Sequence, residues 1–172
     1  MPGGRISEKE WQTRKERVDP RIEAAGWQVM PAGTPVPAGP HPPSALVEYP
    51  TENGPADYVL WSKGRVLGVV EAKRVGLSPQ NVLDQAERYS RGATDCPFNF
   101  DGFHLPFLYS TNGEVIWYRD ARHPMNRSRK IAHFHTPQAL EELLENNWDS
   151  SVMTCMTDGW SGDLNNTITL MI

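Results

Sequence analysis

Apolar residues cluster into short runs along much of the chain, and the clearest strand pattern lies in its first half. Two runs rich in valine, leucine and aromatic residues, at positions 56–61 and 66–70, flank Ser62-Lys63-Gly64. Short apolar runs on either side of turn-forming residues are typical of a β-hairpin. The sequence therefore predicts two neighbouring antiparallel strands, and the second continues through Glu71-Ala72-Lys73.

The rest of the chain predicts helices interspersed with further strands. Ser7 followed by Glu10 has the form of a capping box, Ser78-Pro79 is a typical helix start, and Asn112-Gly113 between apolar runs predicts a second hairpin. The predicted helices cover residues 7–25, 78–91 and 136–145, and the further strands cover 27–30, 46–49, 105–110 and 114–119. This mixture predicts an α/β domain with a mixed central β-sheet and helices on its faces.

Composition narrows the class of protein without defining its chemistry. At 172 residues the chain is long enough for one domain with a substantial core, and 38% hydrophobic and 22% charged residues are ordinary for a soluble globular protein. No apolar run approaches the roughly 20 residues that cross a bilayer, and no signal peptide is evident. These features predict no membrane partner. Cys96 and Cys155 match no zinc spacing, so we expect reduced thiols in a cytoplasmic protein, with a disulfide between them as the alternative.

Three charged residues lie at the ends of the predicted hairpin strands, away from the turn. Side chains alternate faces along a strand, so Glu71 and Lys73 point to one face and Ala72 points to the other. Asp57 begins the partner strand, so closing the hairpin can bring it near Glu71 and Lys73. Two carboxylates and an ammonium form an oxygen-rich site suited to Mg²⁺. From these residues alone, charged strand ends exposed to water explain the pattern equally well.

The spacing of Asp57 and Glu71-Ala72-Lys73 across one hairpin resembles the PD-(D/E)xK nuclease signature. A second element follows in the predicted helix at 78–91, where Gln85 lies four residues before Tyr89 on an apolar stripe. A glutamine there needs partners for its amide, and a nearby backbone group is the simplest one. Gln85-x-x-x-Tyr89 also resembles the QxxxY element that follows the metal motif in restriction (R) subunits of type I restriction enzymes and related nucleases.

The beginning of the chain resembles the same family. Glu10-x-x-Thr13-Arg14, Asp19-Pro20 and Ala25-Gly26-Trp27 are similar to the opening of type I R subunits. An acid on the first helix belongs to the nuclease site in that family, which implies that Glu10 is a metal ligand, with Glu8 as the rival. The resemblance implies a restriction-endonuclease-like fold and hydrolysis of DNA with Mg²⁺, for which Mn²⁺ can substitute.

The resemblance also implies a role for each residue of the site. Asp57 and Glu71 would hold the metal together with the backbone carbonyl of Ala72. Lys73 would position the attacking hydroxide or stabilise charge in the transition state. Gln85 would orient the phosphate or the surroundings of Lys73, and Tyr89 would support the register of the helix.

The expected domain organisation follows from how far these features extend. We expect a flexible terminus at residues 1–6, a nuclease domain at residues 7–146 and an unassigned tail at residues 147–172. No G-x-x-x-x-G-K-[ST] motif is present, so any ATP would bind a separate motor domain. The expected partners are double-stranded DNA and the methylation and specificity subunits of a type I complex. There are two alternatives. One is a non-cleaving DNA-binding or assembly module of the same fold, and the other is a standalone repair or mobile-element nuclease.

Two further features carry weaker predictions. Five basic residues lie between positions 119 and 130 and form either a solvent-exposed loop or a phosphate contact. His133 and His135 imitate a metal-binding pair, but no third ligand has suitable spacing, so we expect no zinc site there. The formal net charge of −4 predicts that the chain alone binds DNA weakly and in a salt-sensitive way.

Overall fold

The structure is a computed structural model that describes residues 12–35, 41–73, 83–93 and 96–146. These residues form a seven-stranded sheet in which every strand lies beside the next one along the chain. The strands are β1 (Gln28–Met30), β2 (Ser44–Tyr49), β3 (Ala56–Ser62), β4 (Arg65–Ala72), β5 (Phe107–Thr111), β6 (Ile116–Asp120) and β7 (Arg129–Ile131). The pairs β1–β2 and β4–β5 are parallel and the other pairs are antiparallel, so the predicted mixed sheet is confirmed.

Helices lie on the sheet at positions close to those predicted. A π-helical turn, Arg14–Val18, continues into α1 (Asp19–Ala24), and α2 (Leu83–Gly92) and α3 (Pro137–Glu145) follow. Pro20 lies where the two helical segments meet, in the first turn of α1, and has no N–H to donate to the preceding turn. Thr136 caps α3, because its side chain accepts a hydrogen bond from the backbone N–H of Ala139. Within the described ranges, no helix has the length and apolar character needed to cross a membrane.

The two faces of the sheet bury separate clusters of apolar residues. One face packs against Val18 and Ile22 of the N-terminal helical segment and against Leu140 of α3. The other face packs against Leu83 and Ala86 of α2. Each large apolar side chain that is fully buried contributes roughly 1.5–3 kcal/mol, so both layers stabilise the sheet. The second layer holds α2 over β4 and β5, the strands that lead to the predicted site.

The parallel contact between β4 and β5 depends on a glycine. A side chain at Gly68 would place its Cβ atom 2.5 Å from the backbone oxygen of Phe107, closer than such contacts allow. Gly68 pairs with Phe107, and the same register aligns Glu71 with Ser110. The close approach therefore helps to fix which residues of β5 lie next to the charged end of β4.

The prediction at residues 119–130 is partly wrong. Arg129–Ile131 forms the edge strand β7, which pairs antiparallel with β6. The strand forms because β6 offers a partner edge and Ile131 packs against the core, although the segment has little apolar pattern of its own. Residues 1–11, 74–82 and 147–172, with the predictions for Glu8, Glu10, the start of α2 and the C-terminal tail, lie outside the described residues.

Candidate active site

The hairpin of β3 and β4 brings the predicted charged residues together. Tyr58 pairs with Val70, so Asp57 and Glu71 lie across from each other at the open end of the hairpin. Asp57 accepts a hydrogen bond through Oδ2 from the backbone N–H of Ala72, at 2.8 Å. Lys73 donates from Nζ to Oε1 of Glu71, at 2.6 Å. The two carboxylates and the ammonium therefore form one cluster.

Glu71 is the most buried member of this cluster. It is 2% exposed, and its Oε2 atom has no hydrogen-bond partner among the described residues. Burial, together with the negative charge of Asp57, raises the pKa of Glu71 to about 8, although Lys73 acts in the opposite direction. A buried carboxylate with an unsatisfied oxygen is costly. A proton that Glu71 shares with Asp57 in a side-chain hydrogen bond, or a cation at this position, would remove that cost.

Lys73 is held by its backbone as well as by its side chain. Its backbone N–H donates to the carbonyl oxygen of Thr111 at the end of β5, at 2.8 Å. Its side chain is 19% exposed, so the ammonium lies at the boundary between the buried cluster and solvent. This location allows Lys73 to contact both Glu71 and a molecule that approaches from outside.

The helix α2 places the second predicted element over the same cluster. Gln85 donates from Nε2 to the hydroxyl of Tyr89, at 2.8 Å, so the amide has a partner on its own helix face. Burial raises the pKa of Tyr89, Gln85 lowers it, and the charges of Glu71 and Asp57 raise it further. These charges act on the Tyr89 hydroxyl because it lies near the carboxylates. Gln85 and Tyr89 therefore belong to the neighbourhood of Asp57, Glu71 and Lys73.

An arginine that the sequence analysis did not assign also contacts the cluster. The guanidinium of Arg14 donates from Nη1 to Oδ1 of Asp57 and from Nη2 to Oε1 of Glu48, both at 3.2 Å. Burial alone would lower the pKa of Arg14, but Asp57 and Glu48 raise it above its ordinary value. The resemblance of Thr13-Arg14 to the R-subunit opening was the available signal for this residue. Glu48 carries no role that its sequence context predicts.

Two polar residues of β5 and its turn lie beside the charged strand end. Ser110 aligns with Glu71 in the parallel register, and Asn112 follows one position beyond the aligned pair of Ala72 and Thr111. Aligned residues on neighbouring strands point to the same face of a sheet. Asn112 also accepts hydrogen bonds from the backbone N–H groups of the turn. The sequence predicts only a hairpin for this segment, and the register places it next to the cluster.

The cluster could hold a hard divalent cation. Mg²⁺ and Mn²⁺ prefer oxygen ligands, and the carboxylates of Asp57 and Glu71 with the unsatisfied Oε2 of Glu71 provide them. Glu10, the further predicted ligand, lies outside the described residues. Within the described ranges, no three histidine, cysteine, aspartate or glutamate residues are grouped as metal ligands. The donor set therefore fits one cation held by two carboxylates with backbone oxygen or water.

Comparison with known proteins assigns the chain to a family. Residues 39–144 match the protein family described as the second domain of the type I restriction enzyme EcoKI endonuclease subunit. The chain belongs to this family. The matched range includes the whole hairpin, α2 and β5, so the family region coincides with the candidate site.

Two relatives of this type I endonuclease-subunit family show how far the similarity extends. The chain is 28% identical to the type I restriction enzyme EcoKI endonuclease subunit of Escherichia coli (strain K12), over 74% of this chain and 15% of that protein. It also resembles the fragment structure of an HsdR subunit of a type I restriction enzyme from Vibrio vulnificus YJ016, with a TM-score of 0.59 and 22% identity. That likeness covers 81% of this chain and 26% of the other and supports the predicted fold. The predicted resemblance to type I R subunits is confirmed.

One histidine of the predicted pair, His135, contacts two aromatic residues. His135 shares a hydrogen bond of 2.8 Å between its Nδ1 atom and the hydroxyl of Tyr109, and its backbone oxygen accepts from the indole of Trp27. Burial lowers the pKa of His135, which favours its neutral form. His133 is exposed. Among the described residues, no group of three histidine, cysteine, aspartate or glutamate residues that could hold a metal includes either histidine.

The basic residues at 119–130 mostly contact protein groups. Arg119 forms an ion pair with Glu87 of α2, and Arg122 pairs with Asp120. Arg129 and Lys130 lie over the rings of Tyr118 and Trp117, at 5.1 Å and 5.5 Å from the ring centroids. These contacts make the segment part of the sheet edge, and phosphate contact there stays a prediction.

Proposed function

We propose that the chain is the nuclease domain of a type I restriction enzyme R subunit and that it hydrolyses phosphodiester bonds of double-stranded DNA with Mg²⁺. The observation that carries the proposal is the buried carboxylate of Glu71, which has an unsatisfied oxygen and lies beside Asp57 and Lys73. The arrangement has the residue types and the spacing of the PD-(D/E)xK signature. Membership of an endonuclease-subunit family supports the same chemistry.

The metal would be held by Asp57 and Glu71 with the backbone carbonyl of Ala72, and Glu10 is proposed as a further ligand. A cation there would lower the pKa of a bound water and offset the negative charge that develops on the phosphate. It would also take the place of the proton on Glu71, whose raised pKa reflects burial and the neighbouring Asp57. The environment that makes the ionised form of Glu71 unfavourable without metal therefore favours a bound cation.

Lys73 would act on the reacting phosphate or the attacking water. An ammonium has three N–H donors, so Lys73 can hold Glu71 and donate to a substrate oxygen at the same time. Its position at the boundary with solvent suits contact with DNA that binds from outside. A donor fixed before the reaction stabilises developing charge without reorganisation, and one such donor contributes roughly 10²–10³-fold in rate.

Gln85 and Tyr89 would align the phosphate. Their mutual hydrogen bond fixes the Gln85 amide on the face of α2 that lies over the cluster. A fixed amide can orient a phosphate oxygen relative to Lys73, and a misplacement of about 1 Å can cost roughly a hundredfold in rate. Tyr89 would act by holding Gln85 in place.

The choice of DNA site would come from other subunits. A net charge of −4 disfavours tight DNA binding by this chain alone, so the methylation and specificity subunits are the proposed source of site selection. Translocation driven by ATP would require the motor domain of the complete R subunit. The working assembly would be cytoplasmic, where double-stranded DNA and Mg²⁺ are both present.

Cleavage of plasmid DNA tests the proposal, with and without Mg²⁺, by the chain alone and in the complete R subunit with its partner subunits. We expect cleavage that requires Mg²⁺ and that Gln85→Ala reduces about a hundredfold without loss of folding. Gln138→Ala is the matched control, because Gln138 lies on α3 and bonds to Glu142 on an exposed surface. Absence of Mg²⁺-dependent cleavage in every assembly would contradict the proposal. Normal cleavage by Gln85→Ala would remove Gln85 from the site.

A further inference from the structure

The guanidinium of Arg14 joins the N-terminal helical segment to two strands. Arg14 is 5% exposed, and it bridges Asp57 at the start of β3 and Glu48 near the end of β2. A buried arginine is costly unless its charge is paired, and two carboxylates pair it here. The contact with Asp57 links residues 43 positions apart in sequence. Arg14 therefore reaches the cluster from an element that is remote along the chain.

The carboxylate of Asp57 is fixed on both of its oxygens. Oδ1 accepts from Arg14 at 3.2 Å, and Oδ2 accepts from the backbone N–H of Ala72 at 2.8 Å. The terminal torsion of an aspartate is otherwise broad, so contacts on both oxygens set the plane of the group. We propose that Arg14 is a positioning residue that holds the Asp57 carboxylate in the orientation in which it and Glu71 bind one divalent cation. This inference rests on the proposed metal-dependent function.

Glu48 supports the other side of the guanidinium. Its backbone has φ 53°, in the left-handed region, although it lies within a strand and carries a side chain. The register on either side of it, Val47 with Tyr58 and Tyr49 with Ala56, places Glu48 opposite Asp57. A strained residue persists where surrounding contacts fix it, and such residues cluster at functional sites. Glu48 thus completes a clamp of three side chains, Glu48, Arg14 and Asp57.

Positioning and simple charge predict opposite effects on metal binding. Arg14 is a cation close to a site for another cation, so removing it strengthens metal binding if charge alone matters. If Arg14 orients Asp57, removing it weakens metal binding despite the loss of repulsion. Removal of a group that orients a metal ligand typically lowers metal affinity about 10–100-fold. The sign of the change therefore separates the two roles.

Calorimetric titration of the 172-residue chain with Mn²⁺ tests the inference. We expect Arg14→Met to weaken Mn²⁺ binding at least about tenfold and Arg14→Lys, which keeps the charge but can reach fewer acceptors, to give an intermediate affinity. Arg17→Met is the matched control. Arg17 lies on the same helical segment, half-exposed, and pairs with Glu114 rather than with Asp57 or Glu71, so its loss should leave Mn²⁺ affinity unchanged.

Folding of each variant is checked by circular dichroism and thermal unfolding. If Arg14→Met does not fold, Arg14→Lys carries the test, because it keeps the positive charge and alters only the contacts of the side chain. We expect this variant to bind Mn²⁺ several-fold more weakly. Equal or tighter binding by folded Arg14→Met, or by Arg14→Lys in its place, would overturn the role of Arg14 while leaving the metal site intact. Failure of the unaltered chain to bind Mn²⁺ would overturn the proposed metal site and the role of Arg14 with it.

Discussion

Two buried glutamates lie at opposite ends of the β3–β4 hairpin, and they differ in whether both of their carboxylate oxygens have hydrogen-bond partners. Glu141 of α3 contacts the turn end, where the hydroxyl of Ser62 donates to its Oε1 at 2.5 Å and Lys63 forms an ion pair with its Oε2. Glu71 contacts Lys73 through Oε1, but its Oε2 has no partner among the described residues. Both carboxylates are buried next to a lysine, yet only Glu71 has an unsatisfied oxygen and a second carboxylate beside it.

The pKa values of the two groups follow from this difference. Burial acts to raise the pKa of Glu141, but Lys63 and Ser62 outweigh it and the pKa is lowered. Burial and Asp57 raise the pKa of Glu71 to about 8, against the effect of Lys73. Burial next to a lysine therefore leaves both oxygens of Glu141 with partners at the turn end. At the other end it leaves the Oε2 atom of Glu71 without a partner among the described residues. The unsatisfied oxygen of Glu71 lies at the end of the hairpin where we propose that the metal binds.

The largest expected difference between the two ends concerns catalysis, and the two lysines test it. Lys73→Met should reduce Mg²⁺-dependent cleavage of plasmid DNA by roughly 10²–10³-fold, because it removes a fixed donor at the reacting phosphate. Lys63→Met should leave cleavage unchanged, since Lys63 pairs with Glu141 at the far end of the hairpin. Initial rates in the complete assembly measure both variants. Equal losses for the two would mean that Lys73 acts through stability rather than chemistry.

The second largest expected difference between the two ends is how the stability of the metal-free protein depends on pH. The pKa of Glu71 in the folded chain is about 8, above the 4.5 of an ordinary glutamate. This group therefore stabilises the fold fully below pH 4.5 and progressively less as pH rises towards 8, because the unfolded chain releases its proton first. Between pH 5 and pH 7 the loss should be about 2 kcal/mol.

Urea unfolding of the parent chain and of Glu71→Gln in the presence of a chelator measures this loss. The variant keeps the shape of the protonated carboxyl group and cannot ionise. The parent should lose stability relative to the variant as pH rises from 5 to 7. A difference between the two proteins that does not change with pH would show that Glu71 is already ionised in the metal-free fold.

The smallest expected effect belongs to the turn end and has the opposite sign. The pKa of Glu141 is lowered, so its contribution is present above the ordinary pKa of a glutamate and is lost as pH falls through the folded value. Glu141→Gln should cost about 1 kcal/mol of unfolding free energy at pH 7, because it replaces an ion pair by a neutral contact. The cost should vanish in acid, which urea unfolding at pH 3 would detect. A cost that persists at pH 3 would assign the effect to packing.

The parts of the site that the sequence predicts are those that local geometry defines. Strand alternation and one tight turn are enough to bring Asp57, Glu71 and Lys73 together, and helical spacing is enough to pair Gln85 with Tyr89. These relations span few residues and depend on periodicities that can be read along the chain. The metal, the cleavage chemistry and the partner subunits stay predictions.

The contacts that the sequence does not predict depend on packing between remote elements. Arg14 reaches Glu48 across 34 residues, and Glu48 is directed there by a left-handed backbone that no pattern of residue types indicates. Ser110 comes beside Glu71 through the parallel register of β4 and β5. Arg129–Ile131 becomes a strand because a sheet edge is available to it. In each case the neighbouring element determines the position of the residue.

The order of strands in the sheet, which repeats their order along the chain, has a consequence for how the protein folds. Pairing of β3 with β4 closes a short loop, whereas the parallel pairing of β4 with β5 closes a long one, and contacts that are local in sequence form fastest. The bond from Ala72 to Asp57 closes a span of 15 residues, whereas the bond from Arg14 to Asp57 closes a span of 43. The two carboxylates should therefore meet early, when the hairpin forms. The arginine would join them later, as the N-terminal helical segment docks onto an already paired sheet.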